Sequence, residues 1–99
     1  MLKRREKRRY ISIMYDERGA AALDAIQKRH IELFGSIALE RASLRLIKEI
    51  NSSVIIVRCS LAETEHILAA IALCNPPIVT LDISSSVKRL KRRLYNFIL

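Results

Sequence analysis

The side chains able to do covalent or metal chemistry are few: His30 and His66, Cys59 and Cys74, and ten carboxylates spread over 99 residues. Their spacing forms no standard centre. There is no G-x-S-x-G turn, no glycine-rich phosphate loop, no H-E-x-x-H and no C-x-x-C, and two glycines leave little backbone freedom for cradling a phosphate. Two cysteines cannot complete a four-ligand zinc site without the histidines, which stand at no standard spacing from them. They read as reduced, partly buried thiols, and no metal or cofactor is assigned to this chain. Asp16, Glu17, Glu63 and Glu65 fall at predicted helix starts, where the helix dipole accounts for a negative charge without any acid–base role. His30 lies in the middle of an apolar helix face, which invites a metal or proton-transfer reading. No second histidine or acid shares that face at helical spacing, so it reads as a hydrogen-bonded core or boundary histidine.

The chemistry that remains is electrostatic. The net charge of +8 is segregated: residues 1–9 carry six basic side chains against Glu6, residues 84–99 carry five and no acid, and the 74 residues between hold seven basic against nine acidic. A near-neutral body with two basic ends suits an anionic polymer, because each Lys or Arg placed on a phosphate releases a condensed counterion. Plain solvation and a lipid surface are the competing readings. The candidate contacts are Lys3, Arg4, Arg5, Lys7, Arg8 and Arg9 at one end, with Tyr10 as the aromatic among them, and Lys88, Arg89, Arg92 and Arg93 at the other.

The elements that position these residues follow from periodicity. One domain's worth of chain is present, 51% hydrophobic, with no apolar run near the ~20 residues a transmembrane helix needs. The basic start lacks a small-residue cleavage site, so a cytoplasmic protein is expected. Residues 1–7 have no apolar pattern and read as a flexible arm, with residues 8–99 as a single domain. Alternation over 8–15 predicts a first strand with two apolar faces, hence a central one. A helix follows from Asp16 as N-cap to Phe34, stopped by Gly35, with Leu23, Ile26, His30, Leu33 and Phe34 on its core face. Residues 36–41 read as a connector exposing Ile37 and Leu39.

A second strand is expected over 42–50, with Leu44, Leu46 and Ile50 on one side and Arg45 and Glu49 on the other. A turn at 51–53 leads into a third strand, VIIVRC, at 54–59. Ser60 and Glu63 have the spacing of a capping box, which would start the next helix, and Pro76 and Pro77 forbid its continuation. That helix buries Thr64, Ile67, Leu68, Ile71 and Cys74, yet Ala69 and Leu73, with His66 beside them, stand where a solvated face should be polar. The surplus reads either as a protein-docking surface or as a face covered by the chain's own last helix. A fourth strand at 78–83 precedes a basic amphipathic helix at 85–98, whose apolar side is Val87, Leu90, Leu94, Phe97 and Ile98.

The order is α+β, a ferredoxin-like β-α-β-β-α-β sandwich with an added C-terminal helix. Small enzymes on this plan need a glycine-rich loop with an arginine after the first strand, and YDERGAA matches that weakly. A base-reading sheet needs aromatics on its third strand, and VIIVRC has none, so contact with phosphates is the better-supported mode. A small-molecule-binding regulatory or enzymatic domain and a membrane-surface protein using the last helix are the alternatives.

Three strings, KRRYISI, LFGSIALERASLRLI and VIIVRCSLAETEHILAAIALCN, resemble protein component two of archaeal ribonuclease P, a family shared with eukaryotic ribonuclease P and MRP subunits. The resemblance runs from about Lys7 to Leu94 and implies a ferredoxin-like fold with extra helices. It implies a non-catalytic subunit of the ribonucleoprotein that removes the 5′ leader from precursor tRNA, the RNA itself performing Mg²⁺-dependent hydrolysis. The implied partners are ribonuclease P RNA and protein component three, in a heterotetramer joined through this subunit. Arg8, Arg9 and Tyr10 match the family's basic-aromatic entry to the first strand. Arg58 matches the arginine before the family cysteine, where it would touch RNA or brace the sheet. The protein-partner candidates are Ile37, Leu39, His66, Ala69 and Leu73.

Overall fold

Alternating side chains along the first strand, β1 (Arg8–Met14), set up a sheet with apolar cover on both sides: Ile11 and Ile13 are fully buried on one face, and Tyr10 packs into a second cluster on the other. The computed structural model describes residues 7–16 and 19–98, with the side chains of 7–16 and 21–96. The expected roles of Lys3, Arg4, Arg5, Glu17 and the arm over 1–6 lie outside the described residues, as do those of the Phe97 and Ile98 side chains. The remaining elements are α1 (Gly19–Phe34), α2 (Ser36–Ala42), β2 (Arg45–Glu49), β3 (Val54–Ser60), a 3-10 turn (Leu61–Glu63), α3 (Thr64–Ala72), β4 (Val79–Ser84) and α4 (Val87–Ile98).

The four strands form one antiparallel sheet in the order β2-β3-β1-β4. This is the ferredoxin-like arrangement the element order predicts, with β1 and β3 central. β3 is buried along nearly its whole length because both of its faces are covered. Ile55, Val57 and Cys59 point into the main core with Ala22 and Ile26 of α1 and Ile67, Ala70 and Ile71 of α3. Val54 and Ile56 point the other way and meet Leu90 and Leu94 of α4. The last helix therefore covers the opposite face of the sheet from α1 and α3, and the outer side of α3 keeps its apolar residues uncovered by it. Leu73 is 55% exposed. No helix among the described residues is long and apolar enough to cross a membrane.

Several boundaries differ from expectation for local physical reasons. The chain over 36–41 is not a connector: SIALERA is rich in good helix formers and winds into α2. Gly35 at φ +89° provides the left-handed turn between the two helices, and Ser43 at φ +49° closes α2. α1 is described from Gly19 onward, and the expected N-cap role of Asp16 turns on residues 17 and 18, which lie outside the described residues.

The second strand is shorter than expected, and its ladder shifts between Leu46 and Lys48, leaving Ile47 bulged. One extra residue inverts the side-chain parity beyond it. Leu46 therefore joins the main core while Ile50 packs into the α4 cluster on the opposite face. The turn between β2 and β3 is an Asx-turn, with Asn51 Oδ1 accepting from the amides of Ser53 (2.8 Å) and Val54 (2.9 Å).

The capping box does not form. Ser60 Oγ instead donates to the Arg41 carbonyl at 3.0 Å, tying β3 to the end of α2. Glu63 turns to His66, whose Nδ1 lies 2.6 Å from Oε2. A 3-10 turn intervenes, so the helix proper begins at Thr64, whose hydroxyl donates to the Ser60 carbonyl at 3.0 Å.

Candidate nucleic-acid interface

Strand register assembles a basic row that the linear sequence separates. Arg45 of β2 lies directly opposite Arg58 of β3, Arg58 lies directly opposite Tyr10 of β1, and Tyr10 lies opposite Ser84 of β4. Residues directly opposite in an antiparallel sheet project to the same face with Cβ atoms ~4.5–5.5 Å apart. Parity puts this row on the face that carries α4. Arg8, two residues before Tyr10, projects to the same side.

The row leads into the basic helix. Ser84 Oγ accepts the Ser86 amide at 3.1 Å, and Ser86 Oγ accepts the Arg89 amide at 3.4 Å, an N-cap contact that starts α4 beside the end of the row. Burial of Leu90 and Leu94 then rolls the helix so that Lys88, Arg89 and Arg92 stay exposed. Arg45 is exposed and Arg58 half-buried, and among the described residues no carboxylate pairs with either. Two like charges facing each other across a ladder are destabilising unless an anion offsets them.

The candidate basic residues divide accordingly. Arg8, Tyr10 and Arg58 come together with Arg45, and Lys88 and Arg89 adjoin them through the Ser84–Ser86 cap. Arg9 does not join the row. It points to the opposite face, where its guanidinium is a minor influence on Cys59, and its Nη1 donates to the Arg8 carbonyl at 3.0 Å. Lys7 is exposed, and its carbonyl accepts the Leu61 amide at 2.8 Å, so the β1–β3 pairing extends to it. Arg93 is occupied as a brace: Nε lies 2.7 Å from Asp82 Oδ2 and Nη2 donates to the Ile83 carbonyl at 3.1 Å, fastening α4 to β4. Arg45 is the residue that sequence reasoning missed. Its signal was the polar side of the second strand, but its neighbour could be known only from register.

The apolar candidates lie on the helical side. Ile37 is 66% exposed on α2, Leu39 and Ala69 are half-buried, and His66 and Leu73 are exposed on α3. Phe34, expected in the core, stacks on His66 at 4.1 Å between ring centroids because the last turn of α1 runs against α3.

His30 is fully buried, as expected, but neither ring nitrogen has a hydrogen-bond partner among the described residues. Burial pushes its pKa down; Glu63 opposes the fall and His66 adds to it. Burial also pushes the Cys59 and Cys74 thiols up, in keeping with unreactive core thiols.

A four-stranded ferredoxin-like sheet with a helix on its second face and a basic row beside it defines an α+β domain suited to binding an anionic polymer. The chain belongs to the Rpp14/Pop5 family, whose model matches residues 9–95, and so to the protein subunits of ribonuclease P and MRP. A comparison with curated proteins finds no match. Among solved structures, the fold is similar to a chain in the cryo-EM structure of yeast ribonuclease MRP, with a TM-score of 0.59 over 97% of this chain and 95% of that one. The identity is 13%, so this likeness is one of fold.

Proposed function

We propose that this chain is a non-catalytic protein subunit of ribonuclease P that supports the catalytic RNA in removing the 5′ leader from precursor tRNA. The observation that carries the reading is the facing pair Arg45 and Arg58, two unoffset positive charges side by side next to Tyr10 on the α4 face. RNA phosphates are the anions that would offset them, and family membership supports ribonuclease P RNA as their source. Lys88, Arg89 and Arg92 extend the contact along α4, and Lys3, Arg4, Arg5 and Lys7 extend it at the other end of the chain. The Mg²⁺ of the reaction belongs to the RNA, as does the bond-breaking step.

The uncovered apolar residues on α2 and α3 are the proposed seat of protein component three or of a second copy of this subunit, in a heterotetramer in the cytoplasm. Reconstitution of the catalytic RNA and component three with precursor tRNA tests the reading. Leaving out this chain should reduce cleavage at low Mg²⁺, and cleavage unaltered by its omission would overturn the assignment. The same assay with Arg45→Ala/Arg58→Ala should give the loss in proportion to RNA binding.

A further inference from the structure

His30, Glu63 and His66 come from two separate stretches of the chain and meet at one point. Their ligand atoms all lie within 4.8 Å of one another. His30 arrives from α1, one turn before its end at Phe34; Glu63 ends the 3-10 turn, and His66 lies in the first turn of α3. The Glu-x-x-His spacing puts the latter two on one side of the chain, the same i, i+3 pairing used by carboxylate–histidine ligands inside helical bundles. The contact between α1 and α3 then brings His30 to them.

His30 is the part of this cluster that demands an explanation. Its ring is fully buried, and both nitrogens lack a partner among the described residues. A neutral imidazole has one N–H to donate and one lone pair to satisfy, and burying both unmet is costly, so an apolar residue of similar size would serve the core better. A lone pair directed at a cation removes that cost and uses the chemistry for which histidine differs from leucine.

The surroundings meet the other requirements of such a site. Glu63 is 12% exposed and supplies a negative charge, and its Oε2 sits 2.6 Å from His66 Nδ1, holding the two side chains together on one side. Phe34 stacks on the His66 ring and also packs against His30, with centroids 5.2 Å apart, giving the cluster an apolar wall.

We propose that His30, Glu63 and His66 form a binding site for a Zn²⁺-class transition-metal ion that clamps α1 to α3. Two imidazoles and one carboxylate are the donors of a borderline ion; a hard ion such as Mg²⁺ or Ca²⁺ takes oxygen ligands, and the set holds no thiolate to favour Cu⁺. Zinc bonds of ~2.0–2.2 Å set tetrahedral donor atoms ~3.4 Å apart, so the 2.6 Å contact between Glu63 and His66 opens while the wider separations close, shifts that side-chain rotation of the half-exposed His66 can supply. Three protein ligands leave a fourth position for water, on the side where His66 reaches the surface. The proposal stands apart from the RNA-binding reading, since the site lies on the helical side and the basic row on the other.

The experiment is titration of the full, untagged, metal-stripped chain with Co²⁺ and then Zn²⁺. Visible absorption should show the intense bands of a four-coordinate Co²⁺ centre, saturating at one ion per chain and bleached when Zn²⁺ displaces it. Calorimetry with Zn²⁺ should give the same stoichiometry. His66→Ala, at a half-exposed position that leaves the fold in place, should weaken binding beyond the ~10–100-fold that loss of an outer-shell partner costs a metal site. Glu63→Gln should weaken it likewise. His30→Leu should abolish binding while giving an apo chain at least as stable as the parent, since it removes the two unmet nitrogens; should that variant misfold, His66→Ala alone decides. A Co²⁺ spectrum of six-coordinate type, or Zn²⁺ binding by His66→Ala equal to that of the parent, would overturn the site.

Discussion

Arg45 faces Arg58 across the β2–β3 ladder, one residue to the side of Tyr10 in the same row. Each arginine should contribute one phosphate contact. Arg45→Ala and Arg58→Ala are therefore each expected to lower the slope of log affinity against log salt by about 0.9, and together by about twice that. The free protein should lose no stability in Arg45→Ala, because a like-charge pair is relieved. Filter binding across a salt series, with thermal unfolding alongside, measures both effects.

The two faces of the sheet carry cores of different size, and single cavities should report this. Ile71 is 1% exposed among the residues between the sheet and α1 and α3, and Ile71→Ala should cost about 2–5 kcal/mol in a chemical denaturation curve. Leu90 is as deeply buried, but in a cluster of four buried residues, among those described, that holds α4 alone. Leu90→Ala should chiefly release α4. Hydrogen exchange would then show faster amides along 87–98, with β1 and β3 still protected. Equal acceleration in the sheet would show that α4 is integral to the main core.

Ser60 ties β3 to the end of α2 rather than capping α3. Ser60→Ala should cost about 0.5–1.5 kcal/mol, the net worth of one hydrogen bond. Amides at the end of α2 should exchange faster while the first turn of α3 is unchanged. The opposite pattern would restore the capping box.

Both cysteines have thiols raised by burial, so little thiolate exists near neutral pH. Reaction with a disulfide reagent at pH 7–8 should be slow and should follow the opening of the fold, becoming fast in denaturant. The sign of the linked stability follows: the unfolded chain releases its thiol protons first, so the thiols favour unfolding increasingly as pH rises above ~8.5. A fast-reacting thiol in the native chain would contradict the burial of Cys59 and Cys74.

Periodicity and punctuation made much of this protein legible before its structure. The apolar alternation of 8–15 and the doubly apolar run at 54–59 mark two central strands, Gly35 and Pro76 mark helix ends, and the charge segregation marks the basic helix. These are local properties, because side-chain direction repeats every 2 or 3.6 residues whatever the fold. What failed locally was competition for hydrogen bonds: Ser60 and Glu63 had the right spacing to cap a helix, but the Arg41 carbonyl, brought in by α2, took the Ser60 hydroxyl, and His66, three residues on, took the Glu63 carboxylate. The bulge at Ile47 reversed the faces of β2, which no pattern in five residues announces.

The sequence alone determined the α+β plan, the two basic ends and the poverty of catalytic groups. Tertiary structure decided which side chains share a site. Register placed Arg45, 13 positions from Arg58, directly opposite it. Helix packing brought His30 to Glu63 and His66, more than 30 positions away, although along its own helix it has no ligand partner. The placement of α4 on the far face left the apolar side of α3 uncovered and the basic row beside a basic helix. The physical reason is common to all three: spacing along the chain fixes a residue's face, whereas its neighbours on that face are fixed by which elements bury their apolar sides against one another.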